Sequence, residues 1–139
     1  MDWKAEIAAE LASLEDEVIL VGHSVGGSIL LKFLAEEPAV LSISGLFLIA
    51  TPYFGGDRNW DYEALTLPPD FPEKLSGIPR IFFYHSRDDE IVPFAHLALY
   101  AAKLPKAIIH EFDGRGHQFR NDLSEIAGDI KKEEIPPED

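Results

Sequence analysis

Apolar residues fall into two alternating patterns along the chain. Short, nearly unbroken runs lie at Val18-Ile19-Leu20-Val21, Leu46-Phe47-Leu48-Ile49, Arg80-Ile81-Phe82-Phe83-Tyr84 and Ala107-Ile108-Ile109-His110-Glu111-Phe112. Their length and their β-branched and aromatic content predict strands. An unbroken run, in place of strict alternation, predicts a strand buried on both faces. Between the runs, apolar residues recur at helical spacing. Ile7, Leu11 and Leu14 predict an amphipathic helix over Asp2 to Leu14. Ser28 to Glu36 predicts a second helix that stops at Pro38, whose ring and missing N–H cannot continue it. Pro93 suits a first helical turn and opens a third helix running to Lys103. Leu123, Ile126 and Ile130 predict a last helix with Asn121 as its N-cap.

Strands and helices in alternation imply parallel pairing through right-handed crossovers. The expected fold is a three-layer α/β/α domain over residues 1–131, with a mainly parallel sheet of at least four strands. The charges and paired prolines of 132–139 predict a disordered acidic tail. Thr51 to Gly77 reads as irregular, rich in Pro, Asp and aromatics. It leaves the C-terminal end of a strand, where open α/β sheets place their ligands, and loops of such length are usually functional or mobile.

Composition narrows the partners. Of 139 residues, 46% are hydrophobic and 27% charged, an ordinary globular balance. Asp and Glu number 25 against 12 Lys and Arg, a formal charge of −13. Nucleic acid and anionic membranes are therefore not expected partners, since phosphate binding needs clustered cations. No apolar run is long enough to span a bilayer, and the polar N-terminus lacks the apolar core of a signal peptide. Cysteine is absent, which excludes disulfides and thiolate metal sites and suits a reducing cytoplasm.

The chemistry concentrates at Gly22-His23-Ser24-Val25-Gly26, between the first strand and a helix. A serine hydroxyl is a weak nucleophile unless it is exposed, rigid and given a base. A sharp strand-to-helix turn supplies exposure and rigidity but strains the serine backbone, so its neighbours two before and two after must be small. Gly22 and Gly26 meet that need, and Gly27 adds clearance. At the helix N-terminus the Val25 N–H can donate to a developing oxyanion. The base must be a histidine oriented by a carboxylate, in the chain order Ser, acid, His. His117 lies just past the fourth strand, in a loop whose glycines on both sides of Arg115 let it fold back over the sheet edge. Asp88 and Asp89 follow the third strand as candidate acids, with Asp57 a distant alternative.

These segments resemble the α/β-hydrolases, and most closely the small serine hydrolases of the retinoblastoma-binding serine hydrolase family. The resemblance is carried by Gly22 to Gly27, by Asp88-Asp89-Glu90-Ile91-Val92-Pro93 and by Gly116-His117-Gln118-Phe119. It runs from Val18 to Ile130. It implies a triad of Ser24, His117 and Asp89, because the acid of that family stands four residues before the proline. It also implies further strands ahead of the nucleophile strand, one of whose loops supplies a second oxyanion N–H. With one helix ahead of Ser24, a partial fold lacking that donor is expected.

The expected reaction is hydrolysis of small carboxylic esters, or amides, through an acyl-enzyme, without cofactor or metal. The alternative is a weakly active or inactive binding or assembly module, with the first strand an edge covered by a second copy. Tyr53, Phe54, Trp60 and Tyr62 line an acyl pocket or, equally, anchor their loop. His23 is expected to point away from the site. His85 and His110 read as structural, and His96 has no second ligand at helical spacing.

Overall fold

Four strands, β1 (Val18–His23), β2 (Ile43–Ile49), β3 (Ile81–Ser86) and β4 (Ile108–Phe112), lie side by side in chain order, each parallel to the next. The computed structural model describes residues 18–36, 43–55 and 59–134. Helices α1 (Val25–Glu36), α2 (Phe71–Lys74), α3 (Ala95–Lys103) and α4 (Ser124–Glu134) flank the sheet, with single 3₁₀ turns at Glu63–Leu65 and Phe119–Asn121. The helix expected over Asp2 to Leu14 lies outside the described residues.

Alternate residues of each strand face opposite sides, so the two inner strands feed two cores. On one side Leu46, Leu48 and Phe83 meet Leu31 and Leu34 of α1, Phe71 of α2, and Leu97 and Tyr100 of α3. On the other, Phe47, Ile49, Phe82 and Tyr84 meet Phe119 and Ile126, with Ile130 packed against them. The Phe47 and Phe82 rings stack at 4.7 Å. The result is the expected three-layer α/β/α arrangement. Among the described residues β1 has no neighbour on its outer side, and Val21 is 48% exposed there.

Several boundaries differ from the sequence reading. β1 and β3 run on through His23 and Ser86, polar ends that an apolar pattern cannot register. Helix α1 begins at Val25, three residues early, because the turn at Ser24 imposes helical geometry on residues of poor propensity. Asn121 is not an N-cap: it closes the 3₁₀ turn, and α4 starts at Ser124. There Asp122 Oδ1 accepts from the Ser124 N–H (3.1 Å) and hydroxyl (2.7 Å). Leu123 is 41% exposed, leaving Ile126 and Ile130 as the buried stripe. Helix α4 continues through Glu134, beyond the point where the charge run predicted fraying. The Thr51 to Gly77 segment is tied down at both flanks. Pro52 O accepts from Ser28 Oγ (2.8 Å) and Tyr100 Oη (2.7 Å), and Thr66 O accepts from Lys32 Nζ (2.6 Å).

The tight glycines are not the expected pair. A Cβ on Gly22 would lie 2.6 Å from Gly27 Cα, and one on Gly27 would lie 2.3 Å from Thr51 Oγ1. A Cβ on Gly26 would meet nothing within 4 Å. Strand β1 and helix α1 therefore pack through Gly22 and Gly27, while Gly26 faces away from described atoms. Gly22→Ala is expected to lower stability by about 1–3 kcal/mol, the usual cost of overpacking. Gly26→Ala is expected to be neutral or to add up to ~1 kcal/mol. Urea titration of both variants checks the contrast; equal destabilisation would refute it.

Candidate active site

Ser24 sits where β1 turns into α1 with φ of 57°, a left-handed conformation that side-chain-bearing residues rarely adopt. Two bonds hold it there. Its N–H donates to Ile49 O (2.8 Å), prolonging the pairing of β1 with β2, and its C=O accepts from the Gly27 N–H (3.0 Å), opening the helix. The strain thus rests on a strand end and a helix start that are fixed independently. The hydroxyl emerges at the C-terminal edge of the sheet, with the Val25 N–H at the helix N-terminus beside it.

His117 reaches the same edge from the β4–α4 connection. Gly114 and Gly116, with φ of 72° and 67°, fold that segment back. Three consecutive acids after β3 hold it. Asp88 Oδ1 accepts from the Gly116 N–H (2.9 Å), Glu90 Oε2 from the His117 N–H (3.3 Å), and Asp89 Oδ2 from His117 Nδ1 (2.9 Å). Ser86 adds a fourth tie, donating to Asp88 and accepting from the Arg115 N–H (3.1 Å). The Ser86 hydroxyl, then the Gly116 N–H, hold the Asp88 carboxyl below the usual carboxylate range. Arg115 forks onto Glu125 of α4 at 2.7 and 3.1 Å, fastening the outer side of the loop.

The imidazole of His117 completes a chain of contacts. Its Nε2 lies 2.8 Å from Ser24 Oγ and its Nδ1 2.9 Å from Asp89 Oδ2. The His117 side chain is 5% exposed and that of Asp89 is fully buried. Asp89 Oδ1 accepts from the Ile91 N–H (2.8 Å) and Val92 N–H (2.7 Å), so the carboxylate is fixed on both oxygens. Such an arrangement lets Nε2 take the hydroxyl proton while Nδ1–H stays on the carboxylate. Asp89, not Asp88, makes the contact with His117; Asp88 grips backbone instead. Asp57 lies outside the described residues.

Two histidines stand closer to this chain of contacts than the sequence reading placed them. His23 does not point away: its Nε2–H donates to the His117 carbonyl (2.9 Å) and its ring lies 5.1 Å from the His117 ring. His85, 1% exposed, brings Nε2 to 3.1 Å from Asp89 Oδ2. The acid clamp and these histidines left one legible signal, a run of three acids one residue past a strand, since carboxylates near strand ends readily collect backbone N–H groups.

Burial pushes the His85 imidazole below its ordinary value, outweighing the Val92 carbonyl and Asp89, which pull it up. A depressed value means the unfolded chain takes the proton more readily. The contribution is therefore complete above the unfolded value near ~6.5 and fades as pH falls through the folded one. Wild-type urea midpoints are expected to drop more steeply than those of His85→Gln as pH falls below about 6.5. Parallel slopes would remove His85 from the account.

The loop aromatics pack onto α3 and on each other. Tyr53 lies edge-on to Tyr100 (4.8 Å) and its N–H donates to His96 Nδ1 (2.9 Å). Phe54 meets Trp60 (5.6 Å), and Trp60 meets the His96 ring (5.5 Å). Tyr62, 59% exposed, lies 6.5 Å from Phe54. His110 stacks on Tyr84 at 5.1 Å.

The architecture is shared with solved structures, among them esterases and hydrolases. The ydeN gene product from B. subtilis superposes with a TM-score of 0.75 at 21% identity, over 95% of this chain and 73% of its own. The esterase domain of a Rhodothermus marinus protein gives 0.66 at 17%, over 92% and 66%. Est1E from Butyrivibrio proteoclasticus, with ferulic acid bound, gives 0.67 at 15%, over 94% and 65%. In two further hydrolases the chain spans 62% and 46% of the partner's length. Identities this low establish the α/β-hydrolase fold and nothing finer. No curated protein matches the sequence. The profile of the serine hydrolase family, however, matches residues 1–121, and the chain belongs to that family.

Proposed function

We propose that the protein hydrolyses small carboxylic esters, and amides more slowly, through an acyl-enzyme on Ser24. The observation that carries this reading is the unbroken line from Asp89 Oδ2 to His117 (2.9 Å) and from His117 to Ser24 Oγ (2.8 Å). Ser24 Oγ attacks the ester carbonyl as His117 Nε2 takes its proton. The imidazolium returns that proton to the leaving alkoxide; the neutral imidazole then takes a proton from the attacking water and passes it to Ser24 Oγ as the acid leaves. Asp89 fixes the Nδ1–H tautomer and stabilises the imidazolium. The Val25 N–H donates to the tetrahedral oxyanion. The family resemblance assigns a second donor to a loop ahead of β1. Trp60, half-buried, with Tyr53 and Phe54 behind it, is the proposed lining of the acyl pocket. The absence of cysteine suits a cytoplasmic setting.

A fluorophosphonate probe tests the nucleophile directly. One label is expected, on Ser24, with loss of p-nitrophenyl acetate hydrolysis on labelling. Folded protein that stays unlabelled, or that is labelled elsewhere with equal loss, defeats the proposal.

A second reading is an assembly module, favoured by the exposure of Val21 (48%) on β1, which among the described residues has no outer neighbour. A homodimer closed across β1 is then expected by light scattering at micromolar concentration, and a monomer counts against it.

A further inference from the structure

Asp89 Oδ2 lies between two imidazoles. His117 Nδ1 is 2.9 Å from it and His85 Nε2 is 3.1 Å from it. His85 Nε2 is also 3.1 Å from the Val92 carbonyl oxygen. A carboxylate oxygen and a carbonyl oxygen can only accept, so the nitrogen they share must carry a hydrogen. Its side chain is 1% exposed, so no water can take over that role.

We propose that His85 is a positioning residue for the hydrolytic reaction, its Nε2–H holding Asp89 Oδ2 against His117 Nδ1. This rests on the reading of Ser24, His117 and Asp89 as the triad. The Ile91 and Val92 N–H groups bind Oδ1 (2.8 and 2.7 Å), and His85 shares Oδ2 with His117 (3.1 and 2.9 Å). His85 thus gives Oδ2 a donor that does not depend on His117. The carboxylate therefore keeps its plane while His117 gains and releases a proton. The donor is itself held in place: the His85 ring stands edge-on to Phe94 at 5.6 Å. The residue after it, Ser86, holds Asp88 and the Arg115 N–H. Two adjacent residues at one strand end thus fix both the acid and the loop that carries the base. Burial favours the neutral imidazole, so the second donor brings no positive charge to compete with the imidazolium of His117.

His85→Phe keeps a planar aromatic ring and removes the donor; His85→Gln returns an amide N–H at a similar reach. The expected result is a kcat on the order of tenfold lower in His85→Phe, the rate equivalent of one hydrogen bond to a charged group, with KM unchanged. Recovery of most of that loss is expected in His85→Gln. The proton resonance of His117 Nδ1–H is expected to move further downfield in His85→Phe, because Oδ2 with one donor fewer accepts more strongly. A His85→Phe kcat within twofold of wild type overturns the proposal, as does a His85→Gln variant that folds equally well but is no faster than His85→Phe. Should His85→Phe not fold, imidazole nitrogen spectra of the wild type decide: a protonated Nε2 on His85 is expected, and a bare Nε2 overturns the idea. Failure of the triad reading looks different, since hydrolysis would then survive in Ser24→Ala.

Discussion

Ser24→Ala is expected to stop hydrolysis and fluorophosphonate labelling, whereas Ser24→Gly is expected to stop both and also to stabilise the protein. When nucleophile and base act as a unit, removing the nucleophile leaves only what binding and the oxyanion donor supply, and losses up to about 10⁶ in kcat are known. The stability contrast follows from the backbone. A φ of 57° costs a residue with a Cβ roughly 1–2 kcal/mol, and alanine retains that cost while glycine does not. The greater freedom of glycine in the unfolded chain offsets part of the gain, leaving about 0.5–1 kcal/mol in favour of Ser24→Gly over Ser24→Ala. Initial rates on p-nitrophenyl acetate and urea midpoints read the two effects separately. Residual turnover above about a hundredth of wild type in Ser24→Ala removes Ser24 from the chemistry. Glycine no more stable than alanine there would mean that the turn is not strained.

The same distinction between backbone and side chain explains what the sequence made legible. The inner strands were readable because burial on both faces demands apolar residues at every position, as Leu46 to Ile49 shows. Their functional ends were not, since His23, His85 and Ser86 continue the ladder with residues chosen for what they bond. The meeting of Ser24, His117 and Asp89 was recoverable because the proposed chemistry dictates residue types. The clamp around His117 was hidden because its hydrogens come from the N–H groups of Arg115, Gly116 and His117, which every sequence carries alike. Gly26 and Gly27 illustrate the limit most plainly: a pattern of small residues around the serine identified the turn, but only the direction of each Cβ shows which glycine is crowded. The resemblance, in turn, picks Asp89 over its neighbour as the proposed acid, and the two differ in setting: the Asp89 side chain is buried with four N–H groups converging on it, while Asp88 grips backbone at the loop surface.

That convergence makes Asp89→Asn the most informative substitution. The asparagine is isosteric, and its oxygen can still accept from the Ile91 and Val92 N–H groups. Its amide NH₂ then occupies the Oδ2 position, facing His117 Nδ1 at 2.9 Å and His85 Nε2 at 3.1 Å, donor against donor in a site with no solvent. Turning the amide over moves the conflict to the Ile91 and Val92 N–H groups and doubles the orphaned donors. The cheaper escape is for His117 to shift its proton to Nε2, so that the bare Nδ1 accepts from the amide. The proton then points at Ser24 Oγ, and the imidazole can no longer take the serine's own. A fall in kcat of about 10⁴ is expected, with KM little changed, since the tautomer alters the base and not the pocket. Stability is expected to fall by about 1–3 kcal/mol, because His85 keeps only the Val92 carbonyl as acceptor. Asp88→Asn is the control: its oxygen still accepts from Ser86 and Gly116, so kcat is expected to stay within about tenfold of wild type. Steady-state kinetics on both variants decide the matter. Equal damage from the two, or an Asp89→Asn enzyme within about tenfold of wild type, would mean that the buried carboxylate does not set the tautomer of the base.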